Sequence, residues 1–510
     1  MNAPKPKLVI AGPGAGKTHG MVDEIIAALL DLKPNRHMAI VTYTNSATNN
    51  IKKRLGERIQ IPPNVFIGTT HSFLNRYIVI PYSGLIHKEV NEELHFIQCG
   101  MDDILKRMFD REEQDLDFKQ KNYRKRVLTE SMHKKGFVTF DQTLNLAEKC
   151  FANDRVKYLV SNRLQHLFID EFQDSDNKMF GIIEHLRKQK RTIIYCVGDP
   201  EQYIQSFSTA KKAFKNIPIL KASGKTTYDV TLNKTNRRSD GAIVNFINHF
   251  SKRIYNDNTF EQSCYNEQDG EPVTFISQAA DITLMLPQFF ELCDKLEIEN
   301  NDRAIIAKNN IVINKASMAL NGNVISPEKS TKPSMLNEIK DTILTSLNMS
   351  QSIFCENFGK TPFDLKVIAV KVARAIRDET IQNENNFASF LKDNFDLSID
   401  NLIPIKVDDL RQRVAPKSLK DAIMVSNIHR FKGLESEAVL AVAKNEKELN
   451  LWLEIDTTTR DEHDERATSD FPRLGYVAFS RARKLLCIAC VEVISEETKQ
   501  KLRDLSVTII

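Results

Sequence analysis

At 510 residues the chain is too long for one ordinary domain, and length alone predicts roughly three or four. Hydrophobic residues make up 41% and charged residues 27%, a globular composition that excludes disorder as the general condition. A net charge of +4 excludes an overall basic field, yet leaves room for basic residues concentrated along one groove.

Lys7–Ala11 reads as a strand running into a glycine-rich loop, with no signal peptide expected. Val22, Ile25, Ile26, Leu29 and Leu30 then fall on one face of a helix. Further strands are predicted at Met38–Tyr43, Val65–Gly68, Leu167–Asp170 and Thr192–Val197. Ile51 and Leu55 mark a helix after the second strand, and Met179, Ile182, Ile183 and Leu186 mark one before the last. Strand and helix in this alternation predict an α/β fold with a parallel sheet covered on both faces. Between about 74 and 140 the rhythm gives way to polar, helical sequence. A second α/β pattern starts near Thr231–Leu232 and includes Ala304–Ile306. Helical sequence fills about 330–415, and the pattern resumes at Ile423–Ser426, Ala438–Val442 and Leu485–Val491. The expected organisation is a first domain of 1–73 and 141–230 and a second of 231–329 and 416–510. Helical insertions at 74–140 and 330–415 interrupt them. No apolar run approaches the roughly 20 residues of a membrane span, so a soluble, cytoplasmic chain is expected.

Of eight scattered cysteines, only Cys487 and Cys490 have C-x-x-C spacing. They sit in a strand-like run where positions three apart face opposite ways, which favours small buried hydrophobes over a metal or redox pair. The basic stretch Lys119, Lys121, Arg124, Lys125 and Arg126, with Lys134 and Lys135 beyond, suits either phosphate contact or a solvated helix face. Arg187, Lys188, Lys190 and Arg191 close a helix, where cations complement the dipole.

The run Gly12-Pro13-Gly14-Ala15-Gly16-Lys17-Thr18 lies between a strand and a helix, as a P-loop requires. Its glycines let backbone N–H groups wrap a phosphate at a helix N-terminus. Lys17 is placed to reach the β- and γ-phosphates of ATP, and the Thr18 hydroxyl to ligate Mg²⁺. The Gly-x-Gly within it also fits a dinucleotide fold, but Lys17-Thr18 decides against that. Leu167–Ile169 ends in Asp170 and Glu171, suited to a magnesium ligand and a base for water, in that order. The next strand ends in Gly198-Asp199-Pro200-Glu201-Gln202, another polar loop at the end of a parallel strand.

Asp170–Asp174 together with Gly198–Gln202 resembles the Walker B and sensor motifs of UvrD/Rep-type superfamily 1 helicases. The resemblance continues through Val41–Asn45 with Ala47, Gly68–Phe73, Leu232 with Asn236–Ser239, His429–Glu435 and Arg473–Ala482, in the family's order. It implies two RecA-like P-loop domains, each with a helical insertion, and ATP hydrolysed between them with Mg²⁺. It also implies that Gln202 senses the γ-phosphate, that Arg238 and Arg481 face its developing charge, and that Glu435 contacts the nucleotide. Single-stranded or partly duplex DNA would meet Tyr43, Asn45, His71, Phe207 and His429. The family's polarity is 3′→5′.

Three departures stand out. The third motif continues as Gln202-Tyr203-Ile204-Gln205 and Phe207–Ala210, without the family's arginine and with its tyrosine displaced, which implies an altered grip on DNA. Only six residues precede Lys7, where the family's adenine-reading glutamine motif is expected. The second insertion is short. Compact size and the runs Ile169–Asp176 and Val197–Gln202 resemble the helicase-like subunit of the Gabija anti-phage defence system, which implies a partner nuclease in a hetero-oligomeric complex. Three functions remain open on these residues: an autonomous DNA motor, a DNA-sensing ATPase that regulates a nuclease, and a P-loop enzyme acting on RNA or a small molecule.

Overall fold

The computed structural model describes residues 4–85, 95–97, 101, 104, 117–134, 137–204, 214–266, 269–277, 281–320, 323–325, 335–347, 349, 351–398, 422–463 and 471–510. The chain forms two compact units, one of Met1–Cys293, Ile306–Val312 and Asn427–Ile510, the other of Asp294–Ile305 and Ile313–Ser426.

The larger unit begins with strands β1 (Lys7–Ala11), β2 (His37–Thr42), β3 (Val65–Thr69), β4 (His95–Ile97), β5 (Phe137–Thr139), β6 (Leu164–Ile169), β7 (Ile193–Gly198) and β8 (Asp229–Asn233). Six of these make one parallel sheet in the order β3-β2-β6-β7-β1-β8. Alternation along each strand fills both faces. Leu8, Ala39, Val41, Leu167 and Ile169 point into one core, and Met38, Ile40, Phe168 and Val197 into another. Helices α1 (Lys17–Leu29) and α2 (Asn45–Gly56) cover the second face through Met21, Val22, Ile25, Ile51 and Leu55. A parallel sheet needs this double cover, because its crossovers lay helices on both sides.

A second parallel sheet in this unit contains β9 (Thr274–Ile276), β10 (Ser436–Ala443), β11 (Ala482–Cys490) and β12 (Thr508–Ile509), ordered β10-β11-β9-β12. Cys487 and Cys490 are buried free thiols on β11. Helices α3 (Phe118–Lys134), α4 (Asn177–Gln189) and α5 (Phe471–Phe479) complete the elements needed below. The expected α/β class with parallel sheets is what the chain adopts.

Several expectations are corrected in detail. Thr231–Leu232 does not open the second sheet. It lies in β8, where Thr231 and Leu232 pair with Val9 and Ile10 of β1. Periodicity identifies a strand but not the sheet it joins. Leu30 lies beyond α1 and is 89% exposed, so the helical face ends at Leu29. Tyr43 falls just past β2. Within 74–140 the described residues include a parallel pair, β4 with β5, whose three-residue strands are too short to leave a periodic signal. Lys135 and Cys99 lie outside the described residues.

The smaller unit holds helices Met335–Ser346, Gln351–Phe358, Pro362–Arg377 and Glu384–Phe395. They share a core that includes Ile343, Phe354, Leu365, Val372, Ile376 and Leu391. Thr361 and Asp364 form a capping box with Pro362 in the first turn, which starts the third helix sharply. Val324–Ile325 pairs in parallel with Ile423–Met424. Among the described residues no helix is long and apolar enough to cross a membrane.

Candidate nucleotide-binding site

The loop between β1 and α1 turns on Gly14 and Gly16, with φ of 67° and 71°. A Cβ on Gly14 would lie 2.2 Å from Asn236 Oδ1, and one on Gly12 would lie 2.5 Å from the Gln262 side chain. The loop is therefore pressed against the segment after β8, and hydrogen bonds tie it there. Gln262 Nε2 donates to Pro13 O at 3.0 Å, the Arg237 N–H to Gly14 O at 2.9 Å and Asn233 Nδ2 to Ala15 O at 2.8 Å. The carbonyls of Pro13, Gly14 and Ala15 are thus taken up, and the Ala15 N–H donates within the loop to Gly12 O at 3.4 Å. Lys17 Nζ donates to Ala11 O at 3.2 Å and Gly12 O at 3.1 Å. Burial pushes its pKa down, while Glu171 and Asp199 oppose the shift.

β6 delivers Asp170 and Glu171 to the same end of the sheet. Glu171 adopts a left-handed φ of 49°, which a non-glycine residue holds only when its surroundings require it. Its N–H donates to Asp170 Oδ1 at 3.0 Å, and its carboxylate accepts from Gln173 Nε2. Burial, then the Glu171 charge, raises the Asp170 pKa. Burial would raise Glu171 as well, but the ammoniums of Lys17 and Lys432 hold it below the usual range. Lys432 donates to Asp174 Oδ2 at 2.7 Å.

Gly198 ends β7 where a Cβ would meet Gln173 Oε1 at 2.3 Å. Gln173 Oε1 instead accepts the Asp199 N–H at 3.0 Å. Gln202 then donates to Asp199 Oδ2 at 2.7 Å and accepts from Arg481 Nη2 at 3.2 Å. Arg481 follows α5, with Nε on Val477 O at 2.9 Å. Burial, reinforced by Arg238, pushes its pKa down to about 9. Arg238 is ion-paired to Glu435 and donates to Ser480 O at 3.0 Å.

These residues surround one cleft of about 530 Å³. The cleft brings together Pro13–Thr18, Glu171, Gln202, Arg238, Glu435 and Arg481, whereas Gly12 and Asp170 do not line it. Asp170 is 6% exposed beside Glu171. Sequence reasoning missed Arg54, Arg237 and Arg483 in the lining. Arg237 had a signal, its place inside the Asn236–Ser239 motif; the other two had none. Lysine and arginine outnumber carboxylates around the cleft, which suits a polyanion. The adjacent carboxylates of Asp170 and Glu171, the first buried and its pKa driven up by burial and by the Glu171 charge, form a negative locus that a divalent cation would relieve.

Of the residues expected to meet DNA, Tyr43, Asn45, His71 and His429 do not line this cleft. Tyr43 is 45% exposed. Asn45 opens α2 and lines a separate cavity with Thr69, Ser72 and Arg76. His71 stacks on Phe140 with centroids 3.6 Å apart and planes 20° apart, and burial lowers its pKa to about 4. The His429 N–H donates to Asn427 Oδ1 at 3.0 Å. Phe207 lies outside the described residues. In α3, Lys119 and Arg126 are exposed, and Arg126 pairs with Glu130 one turn on.

Residues 2–208 match the family described as "AAA domain". Gabija protein GajB of Bacillus cereus (strain VD045) is 30% identical over 247 residues, covering 48% of this chain and 46% of that protein. ATP-dependent DNA helicase Rep of Buchnera aphidicola (subspecies Acyrthosiphon pisum, strain APS) is 22% identical over 49% of this chain and 44% of its own length. A probable DNA helicase II homolog of Mycoplasma genitalium is 21% identical, covering 95% of this chain and 82% of its own length. The match to GajB and Rep thus spans less than half of either relative. The AAA domain match, the order of the motifs along the chain and the similarity to Rep, helicase II and GajB all support one reading, a UvrD/Rep-like superfamily 1 helicase, which is the family this chain resembles.

Proposed function

We propose that the chain is an ATP-driven motor on DNA, hydrolysing ATP in the cleft between Gly12–Thr18 and Arg238–Arg481 and moving 3′→5′ along single strands. The observation that carries this is the meeting of Lys17, Glu171, Gln202 and Arg481 around one cleft from four distant parts of the sequence. Lys17 and the loop N–H groups would hold the phosphates. Thr18 and Asp170 would hold Mg²⁺, which supplies neutralisation of the charge that develops on the phosphates. Glu171 would orient and deprotonate the attacking water, while Arg238 and Arg481 face the γ-phosphate and Glu435 the nucleotide. An arginine so placed is worth about 10³–10⁵ in rate among NTPases.

On this proposal 1–73 with 141–230, extended through β8 to Asn233, and the rest of 231–329 with 416–510, act as the two motor domains, carrying insertions 74–140 and 330–415. Closure on ATP and opening after hydrolysis would step the DNA past Tyr43, Asn45, His71, Phe207 and His429. A second reading is favoured by the similarity to Gabija protein GajB. There the same ATPase answers to DNA in anti-phage defence and regulates a partner nuclease without unwinding alone.

The test is the ATPase rate of the purified chain with and without single-stranded DNA, beside Lys17→Ala and Glu171→Gln. Stimulation lost in both variants supports the motor, and strand displacement then separates it from the regulatory subunit. A folded chain that binds ATP but shows no stimulation sinks the autonomous motor.

A further inference from the structure

Gln202 and Arg481 meet in the cleft, but neither is held there by its own contacts alone. Glu201, the residue before Gln202, is 2% exposed and carries the centre of a buried ionic cluster. Its carboxylate pairs with Arg253, with Arg460 Nη2 at 2.8 Å and with Arg473 Nε at 3.6 Å. Arg460 and Arg473 are fully buried. Asp461 completes the cluster, accepting from Arg473 Nη2 at 2.9 Å and Arg253 Nη2 at 2.6 Å. The guanidinium of Arg473 also lies 3.2 Å from the ring centre of Phe214, which fixes its plane.

We infer that Glu201 is a positioning residue, clamping the turn that bears Gln202 to Arg460 and to Arg473 at the start of α5, the helix that leads into Arg481. The proposal rests on the reading of the cleft given above. Glu201 does not line the cleft, whereas Gln202 and Arg481 do. The turn is held to α5 at a second point, because Tyr476 OH donates to Asp199 Oδ2 at 3.3 Å. With Glu201 neutral, Arg253 and Arg473 would share Asp461 while Arg460 would lose its carboxylate partner in a buried space, and mutual repulsion would drive the guanidiniums apart. The displacement would reach Arg481 through α5, while the P-loop, tied to Asn233, Arg237 and Gln262, would stay in place. Nucleotide binding and turnover would therefore separate. Burial would raise the Glu201 carboxyl, but Arg253, Arg460 and Arg473 hold it down at about 2, so the clamp is charged at any working pH.

The experiment compares the full chain with Glu201→Gln and Glu201→Asp, by steady-state ATPase with single-stranded DNA and by amide hydrogen exchange. Glu201→Gln is expected to lower kcat by about 10–100-fold, as a displacement of around 1 Å at a reacting group does, with KM for ATP within about threefold. Glu201→Asp keeps the charge and is expected to recover kcat to within about tenfold of the parent. A folded Glu201→Gln chain with parental kcat, or one whose KM rises as kcat falls, overturns the clamp. Hydrogen exchange judges it even if the parent shows no turnover, an outcome that would sink the cleft reading instead. Faster exchange in Asp199–Tyr203 and Tyr476–Arg481, without change in Gly14–Met21, supports the clamp; unchanged exchange in those segments overturns it.

Discussion

Arg481 Nη2 donates to Gln202 Oε1 at 3.2 Å, joining two residues that are 279 positions apart in sequence. The bond places the cation proposed to face the γ-phosphate in direct contact with an amide that follows a carboxylate turn. Arg481→Lys keeps a charge but loses the planar fork that reaches Gln202, Val477 O and Ser480 Oγ together. Its kcat for ATP should fall at least about 100-fold with KM little changed, measured by steady-state ATPase. An equal rise in KM would mean that Arg481 serves binding rather than turnover.

The glycines of the P-loop and of α1 differ in what surrounds them. At Gly14 a Cβ would meet Asn236 Oδ1 at 2.2 Å and Arg238 Cβ at 2.7 Å, on a backbone with positive φ. Gly14→Ala should weaken binding of a fluorescent ATP analogue at least about tenfold and lower the melting temperature. Gly20 is an exposed helical position with open space around it. Gly20→Ala should stabilise the chain by about 0.5–1 kcal/mol through helix propensity alone. A calorimetric scan of the two variants checks the opposite signs.

His71 is stacked on Phe140 and its folded pKa lies near 4, below the ordinary 6.5. Burial is the cause, opposed weakly by Asp141 and Asp176. Because the folded value is the lower one, the neutral ring's contribution is present above about pH 6.5 and is lost as pH falls towards 4. Urea unfolding at several pH values should show a loss of up to roughly 3 kcal/mol across that window, flattened in His71→Gln. An unchanged slope in the variant would place the titration elsewhere.

Tyr43 and the basic residues of α3 should separate by salt dependence. Tyr43→Ala removes a half-exposed ring at the end of β2 and should cost about 1–3 kcal/mol in single-stranded DNA affinity, with the salt slope unchanged. Lys119→Ala with Lys121→Ala should reduce the salt slope if these lysines contact phosphate, and leave it alone if α3 is a solvated face. Fluorescence anisotropy at several salt concentrations reads both.

The strands of the first sheet were legible because each is a short apolar run closed by a loop with distinct chemistry: glycines and Lys17 after β1, Asp170 after β6, Asp199 after β7. Local pattern also placed α1, α2 and α4, whose apolar residues recur at helical spacing. Thr231–Leu232 was legible as a strand and not as a member of the first sheet, since the partner that decides this, Val9–Ile10, lies more than 200 residues away. The clustered arginines show the same limit. Arg253, Arg460 and Arg473 stand in unrelated stretches, and no spacing rule unites them; only folding puts all three on Glu201. The pairing of Arg238 with Glu435 and the ties from Asn233, Arg237 and Gln262 to the P-loop are of this kind too. Residue type and local order are written along the chain, so they announce the chemistry of a P-loop cleft. Charge compensation and close packing act through space, so which side chains hold that chemistry in place was settled by tertiary structure alone.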